Sequence, residues 1–193
     1  MLKVSRHDLF EPRVIAPCVV MGLLGYSYGT TFTLIPDFGQ YVSIQNKGLL
    51  FTYMTMAALA IRLIGGRASD YWGRKPVLQV CCVLVVGAML TIAFSTTPLQ
   101  LILGMSLYGL AHGTTSPTLI AWATDLSAAE YKGRGLASAY IFMEFGIGFG
   151  ALVSGIIYGN DPSRFTLAFG ICAAMAACAL VYLFLKKEKK ESV

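Results

Sequence analysis

The chain has 193 residues, 56% hydrophobic and 13% charged, with a mean hydropathy of +0.66. A soluble domain carries about 25% charged residues, so the composition excludes an ordinary soluble fold and points to an integral membrane protein. The formal net charge of +5 could suggest nucleic-acid binding, but the placement of the charges, given below, excludes that partner. All five cysteines, Cys18, Cys81, Cys82, Cys172 and Cys178, lie in apolar runs without a Cys-x-x-Cys spacing or a nearby His. They read as small buried residues, and neither a metal site nor a cofactor is expected. The first apolar run is too long for a cleavable signal. No low-complexity linker interrupts residues 1–193, so one domain is expected.

A bilayer-crossing helix needs about 20 apolar residues at 1.5 Å rise each. The apolar runs predict six, at about 14–35, 48–64, 76–94, 98–123, 135–158 and 165–185. The first opens between Pro12 and Pro17 and is expected to stop at Pro36-Asp37. It carries Gly25-x-x-x-Gly29 and a polar patch, Tyr26 to Thr33, which reads equally as helix–helix hydrogen bonding or as a cavity-lining face. Pro76 and Pro98 mark later helix starts, and Pro162 lies in a loop. Pro117 alone is expected inside a helix, where its missing N–H should kink the fourth. Gly109-x-x-x-Gly113, Gly146-x-x-x-Gly150 and Gly155-x-x-x-Gly159 are expected to allow close helix packing.

The basic residues divide by side. One side holds Lys3, Arg6, Arg13, Arg67, Arg74, Lys75, Lys132, Arg134, Lys186, Lys187, Lys189 and Lys190, with Arg62 about one turn inside the second helix; the other holds Lys47 and Arg164. By the positive-inside rule both termini are then cytoplasmic, in a multi-pass protein of the cell (inner) membrane.

Between the second and third helices runs GGRASDYWGRKPVL, residues 65–78, a basic stretch in which Gly66 and Gly73 are expected to allow a sharp turn. Gly66, Asp70, Gly73, Arg74 and Lys75 resemble the loop signature of the major facilitator superfamily, roughly G-x-x-x-D-R-x-G-R-K, with Tyr71 where the family usually has a basic residue. The resemblance covers essentially the whole chain. It implies an all-α membrane fold of six transmembrane helices, one half of a twelve-helix transporter, built from two inverted three-helix repeats. The chain looks more like the C-terminal half, with the flavour of a drug or sugar efflux permease. The resemblance further implies a small-molecule solute, a lipid bilayer and a second six-helix half as partners, that half being a missing N-terminal half or a second copy. The signature loop would brace one state of an alternating-access cycle. The alternative is a non-transporting remnant or scaffold.

Several polar residues lie deep in these helices. Glu144 is about ten residues past Arg134, so about 15 Å into the membrane. A carboxylate there is costly, which suggests proton coupling or contact with a polar or cationic solute; the bland alternative is a hydrogen bond to a neighbouring helix. His112 lies about 20 Å in by the same rise, at similar depth on the preceding helix, and could pair with a carboxylate. Thr114, Thr115 and Ser116 precede Pro117 and could line a pathway with Tyr26. Arg62 reads either as a snorkelling side chain or as a solute or ion-pair contact. The Gly146-x-Gly-x-Gly150 run lies inside an apolar helix with no preceding strand, so it is no nucleotide loop. With no Walker lysine and no nucleophile–base pairing in the sequence, an enzyme is not expected.

Overall fold

In lipid, a backbone must satisfy its own hydrogen bonds, and a helix does so within one segment. The computed structural model describes residues 11–186, with residues 64–67 as backbone alone. It folds them into six α-helices: α1 (Ile15–Tyr41), α2 (Gly48–Trp72), α3 (Arg74–Ala93), α4 (Pro98–Leu126), α5 (Lys132–Tyr158) and α6 (Phe165–Leu185). Short 3-10 turns at Pro12–Val14, Ala129–Tyr131 and Pro162–Arg164 lead into α1, α5 and α6, and no strand occurs among the described residues. Four segments, Pro12–Tyr41, Arg74–Ala93, Ala129–Tyr158 and Pro162–Leu185, are long and apolar enough to cross a membrane, and α2 adds a shorter apolar stretch, Gly48–Leu63. The protein is thus an all-helical membrane protein, as its composition predicts.

Helices α1 and α4 meet in the middle. Helix α5 packs along α1, and α2 along α4; α3 and α6 pack on each other and close the back, α6 against α1 and α3 against α4. Exchanging α1–α3 for α4–α6 swaps the α1–α5 contact with α2–α4 and the α1–α6 contact with α3–α4, and maps α1–α4 and α3–α6 onto themselves, which is the pattern of two related three-helix units.

Glycine sets how closely the two flanking pairs approach. A Cβ at Gly29 would collide with the Ile147 carbonyl, and one at Gly150 with the Tyr26 carbonyl; across the other pair, one at Gly109 would collide with the Met54 carbonyl. Both pairs therefore touch backbone to backbone, as small-x-x-x-small spacing allows. Gly155-x-x-x-Gly159 departs from that expectation. Gly155 faces open space, and Gly159 ends α5 in the left-handed conformation (φ +51°).

Several helix ends differ from the sequence reading. Helix α1 does not stop at Pro36-Asp37 but continues to Tyr41 with Pro36 inside it. Proline forfeits one backbone bond but keeps a helix-compatible φ, and the last turns are anchored by buried Leu34, Ile35 and Phe38. Helix α2 does not end at Ile64. It runs through Gly65, Gly66 and Asp70 to Trp72, and the reversal falls on Gly73 alone, at φ +90°. Two helical glycines cost about 1 kcal/mol each, a cost the helix bears without ending there. The signature is therefore mostly helix, and Gly66 lies within it. Helix α3 starts at Arg74, α4 reaches Leu126, and α5 starts at Lys132, so Asp125 is helical rather than in a loop. The basic residues Lys3, Arg6, Lys187, Lys189 and Lys190, and the Arg67 side chain, lie outside the described residues.

Candidate functional site

On the open side of the bundle, α1, α4 and α5 enclose a cavity of about 340 Å³. Its walls are apolar at Met21, Leu24, Leu119, Met143 and Ile147, and polar at Tyr28, His112, Thr115, Ser116, Tyr140 and Glu144. The structure thus brings Glu144, His112 and Thr115 to one cavity. Glu144 is exposed on α5, His112 is half-buried and Thr115 is buried. The Thr115 hydroxyl donates to the Ala111 carbonyl at 2.7 Å, leaving its lone pairs to accept. Among the described residues His112 makes no ion pair with Glu144; its ring stacks on Tyr28, with centroids 4.7 Å apart and planes at 24°.

A second cavity of about 260 Å³ lies on the α2 side, lined by Tyr28, Met54, Thr55, Ala58, Leu59, Arg62 and His112. Arg62 is not one turn from the end of its helix. Because α2 continues to Trp72, Arg62 sits ten residues before that end, about 15 Å along the axis. It lines this cavity together with the Tyr28 and His112 rings. The two cavities share Tyr28 and His112, so this stack forms a common wall.

Tyr26 lines neither cavity. It is buried in the core, 6.1 Å from the Phe149 ring, and its hydroxyl has no hydrogen-bond partner among the described residues. Its neighbours Ser27 and Thr30 hold the helix packing instead, donating to the carbonyls of Cys172 and Gly150. Tyr28, from the same polar patch, is the tyrosine on the cavity wall, and sequence reasoning did not separate the two. Successive residues rotate by about 100° on a helix, so these two side chains point about 200° apart.

At the basic end of the bundle, Arg74 gathers three helices. Its Nε donates to Asp125 Oδ2 of α4 at 2.9 Å, and its guanidinium also donates to Ser69 Oγ at 2.6 Å and to Asp70 of α2. Lys75 donates to the Lys186 carbonyl just beyond α6. Asp125 and Ser69 were not singled out from the sequence. The signal for Asp125 is that a carboxylate in the last turn of a helix opposes the helix dipole and calls for a cation.

A helical bundle of two related three-helix units, with a polar-walled cavity and charged turns at one end, has the architecture on which secondary transporters are built. The chain belongs to the Major Facilitator Superfamily, whose sequence profile matches residues 18–193. This membership bears out the expectation that it is not an enzyme. The chain is 27% identical over 160 residues to myo-inositol transporter 2 of Schizosaccharomyces pombe, covering 83% of this chain and 28% of that protein. It is 25% identical over 139 residues to the major myo-inositol transporter IolT of Bacillus subtilis, covering 69% and 29%. It thus spans less than a third of the length of either relative. Among solved structures, the human organic anion transporter MFSD10 (TETRAN) superposes with a TM-score of 0.71 at 18% identity, covering 91% of this chain and 47% of that one. An auto-inhibited POT family peptide transporter superposes with a TM-score of 0.74 at 14% identity, covering 91% and 37%. At such identities these two likenesses concern the fold.

Proposed function

We propose that the chain forms one six-helix half of a secondary transporter of the cell membrane, with both termini on the cytoplasmic side, and moves a small polar solute by alternating access against a second six-helix half. The observation that carries this reading is the convergence of His112, Thr115 and Glu144 on one cavity. The superfamily membership and the relatives named for myo-inositol support a solute of that size. The excess of basic residues at the Arg74 end supports a cytoplasmic location for it.

Glu144 is the proposed proton carrier. It has no cation partner among the described residues and sits where a solute would pass. A solute group and a proton that use the same carboxylate compete for it, which would couple the two. In the efflux direction, a proton entering at Glu144 would drive the solute out. Arg74, Asp70 and Asp125 form the proposed brace: they tie the basic ends of α2, α3 and α4 together, so that the glycine-packed helix pairs move as units when the halves rock. The second half is supplied either by residues preceding Met1 in a longer product or by another copy across a two-fold axis along the membrane normal.

Uptake by proteoliposomes tests the reading. A panel of small solutes headed by myo-inositol is offered under an imposed proton gradient. Gradient-driven movement of at least one solute is expected, with loss of the gradient effect in Glu144→Gln. Movement that is unchanged in Glu144→Gln removes proton coupling, and no movement of any solute removes transport. An epitope tag after Val193, followed by an immunoblot, identifies the second half. A band near 20.8 kDa calls for two copies, and one near about 40 kDa supplies the half in the same chain.

A further inference from the structure

We propose that the solute is dipolar: a small zwitterion whose anionic group docks beside Arg62 and whose cationic group docks beside Glu144, on opposite sides of the Tyr28–His112 stack. The inference rests on the transport reading and names its substrate class.

The arrangement is built by the pairing of helices. Helices α1 and α4 supply the stack; α2 brings Arg62 to one flank, and α5 brings Glu144 to the other. The four residues lie at one level. Counting to the basic end of each helix, Tyr28 is 13 residues from Ile15, Arg62 ten from Trp72, His112 14 from Leu126 and Glu144 12 from Lys132, which is about 15 to 21 Å in every case. Neither charged side chain makes an ion pair or a side-chain hydrogen bond among the described residues, and each borders only its own cavity.

Two opposite charges at one depth, with an aromatic wall between them, is not what a neutral polyol requires. Hydroxyls such as those of Thr55, Thr115, Ser116, Tyr28 and Tyr140 suffice for that. A lone charge in a membrane-level wall is expensive until a counter-charge arrives. The stack keeps these two from serving each other, so a solute carrying both charges neutralises both walls in one binding event. The rings favour the cationic end as well: Tyr28 and Tyr140 stand beside Glu144, and an aromatic face attracts an ammonium group. The guanidinium of Arg62 in turn presents a fork of donors suited to a carboxylate. The class is therefore a carboxylate–ammonium compound small enough to reach across one ring stack.

The test is ligand-induced thermal stabilisation of the full-length product in lipid nanodiscs, with four probes of similar size: L-carnitine (zwitterion), choline (cation), 3-hydroxybutyrate (anion) and myo-inositol (neutral polyol). Carnitine is expected to stabilise most. Arg62→Gln and Glu144→Gln should each weaken its apparent affinity at least tenfold. Choline should lose its weaker effect only in Glu144→Gln, and 3-hydroxybutyrate only in Arg62→Gln. Both side chains are exposed, so these variants leave the core intact, and Arg62→Lys, which keeps the charge and loses the fork, should weaken the carnitine effect less than Arg62→Gln does. An Arg62→Gln response identical to wild type overturns the proposal and returns Arg62 to a lipid-facing role. Stabilisation by myo-inositol alone, unchanged in both variants, overturns it while leaving the transport reading standing. No stabilisation by any probe overturns it as well. Charge-dependent carnitine binding without movement in proteoliposomes supports the dipolar site and removes the transport reading instead.

Discussion

The two ends of the bundle are closed by different physics. At the basic end, Arg74 links Asp70 of α2 to Asp125 of α4, and those carboxylate side chains are 69% and 54% exposed. At the opposite end, Phe38 of α1 stacks on Phe165 of α6 with ring centroids 4.3 Å apart and planes at 7°, and Tyr158 of α5 stacks on Phe165 at 4.7 Å. Phe38 and Phe165 are each 2% exposed. The Thr166 hydroxyl adds a bond to the Ala93 carbonyl of α3 at 2.9 Å. Exposed ion pairs are worth about 0 to 1 kcal/mol and compete with water and salt, whereas a buried aromatic cluster loses dispersion contacts that nothing outside replaces. The basic end is the cheaper one to open.

That contrast can be broken. The largest effect is expected from Phe165→Ala, which leaves a void among Phe38, Phe169 and Tyr158. The loss should be about 3 kcal/mol, as for other large-to-small core changes, read as a lower melting temperature that is indifferent to salt. Arg74→Ala should cost about 1 kcal/mol at low salt and nearly nothing at high salt. Combined with Asp125→Ala, its effect should be less than additive, since both changes remove the same bond. In transport assays the order reverses: Arg74→Ala should alter rates more than Phe165→Ala does per unit of stability lost. If Arg74→Ala destabilises more than Phe165→Ala, or if the Phe165→Ala loss is screened by salt, the two ends are not different in kind.

How much of this was legible beforehand depended on which residues carried the signal. The all-helical membrane fold followed from apolar runs near 20 residues long, because lipid leaves the backbone few alternatives. Depth arithmetic along the helices was enough to single out His112 and Glu144, which share a cavity. Direction around a helix was harder. Tyr26 and Tyr28 sit in one polar patch, separated by Ser27 and followed by Gly29, Thr30 and Thr31, so no hydrophobic stripe indicates which one faces the core. Helix ends were hardest. Pro36 and the Gly65-Gly66 pair are local breakers that do not end their helices; beyond Pro36 the packing of Phe38 on Phe165 holds the last turns of α1. Because Arg62 is measured from a helix end set too early, its depth comes out too small, and the sequence leaves it open between a snorkelling side chain and a solute or ion-pair contact.

The smallest effect sharpens the comparison from within the aromatic end, which also carries a charged device. Asp161 accepts hydrogen bonds from the Ser163 N–H at 3.0 Å and the Ser163 hydroxyl at 2.7 Å, and pairs with Arg164 at 3.3 Å. These bonds cap the 3-10 turn that leads into α6. They hold the Asp161 carboxyl below the usual carboxylate range, the Ser163 bonds first and the Arg164 charge after them. Because the folded state lowers this pKa, the stabilisation is present above the unfolded carboxylate's pKa and is lost as pH falls through the folded one. Asp161→Ala should therefore lower the melting temperature slightly at neutral pH, and the gap to wild type should close on acidification. For Phe165→Ala the gap attributable to the rings should stay open over the same range, since no ring in that stack titrates under acid conditions. A gap for Asp161→Ala that stays constant as pH falls would assign the cap to turn geometry rather than charge. A gap as wide as that of Phe165→Ala would mean that the end read as aromatic is held by its charges after all.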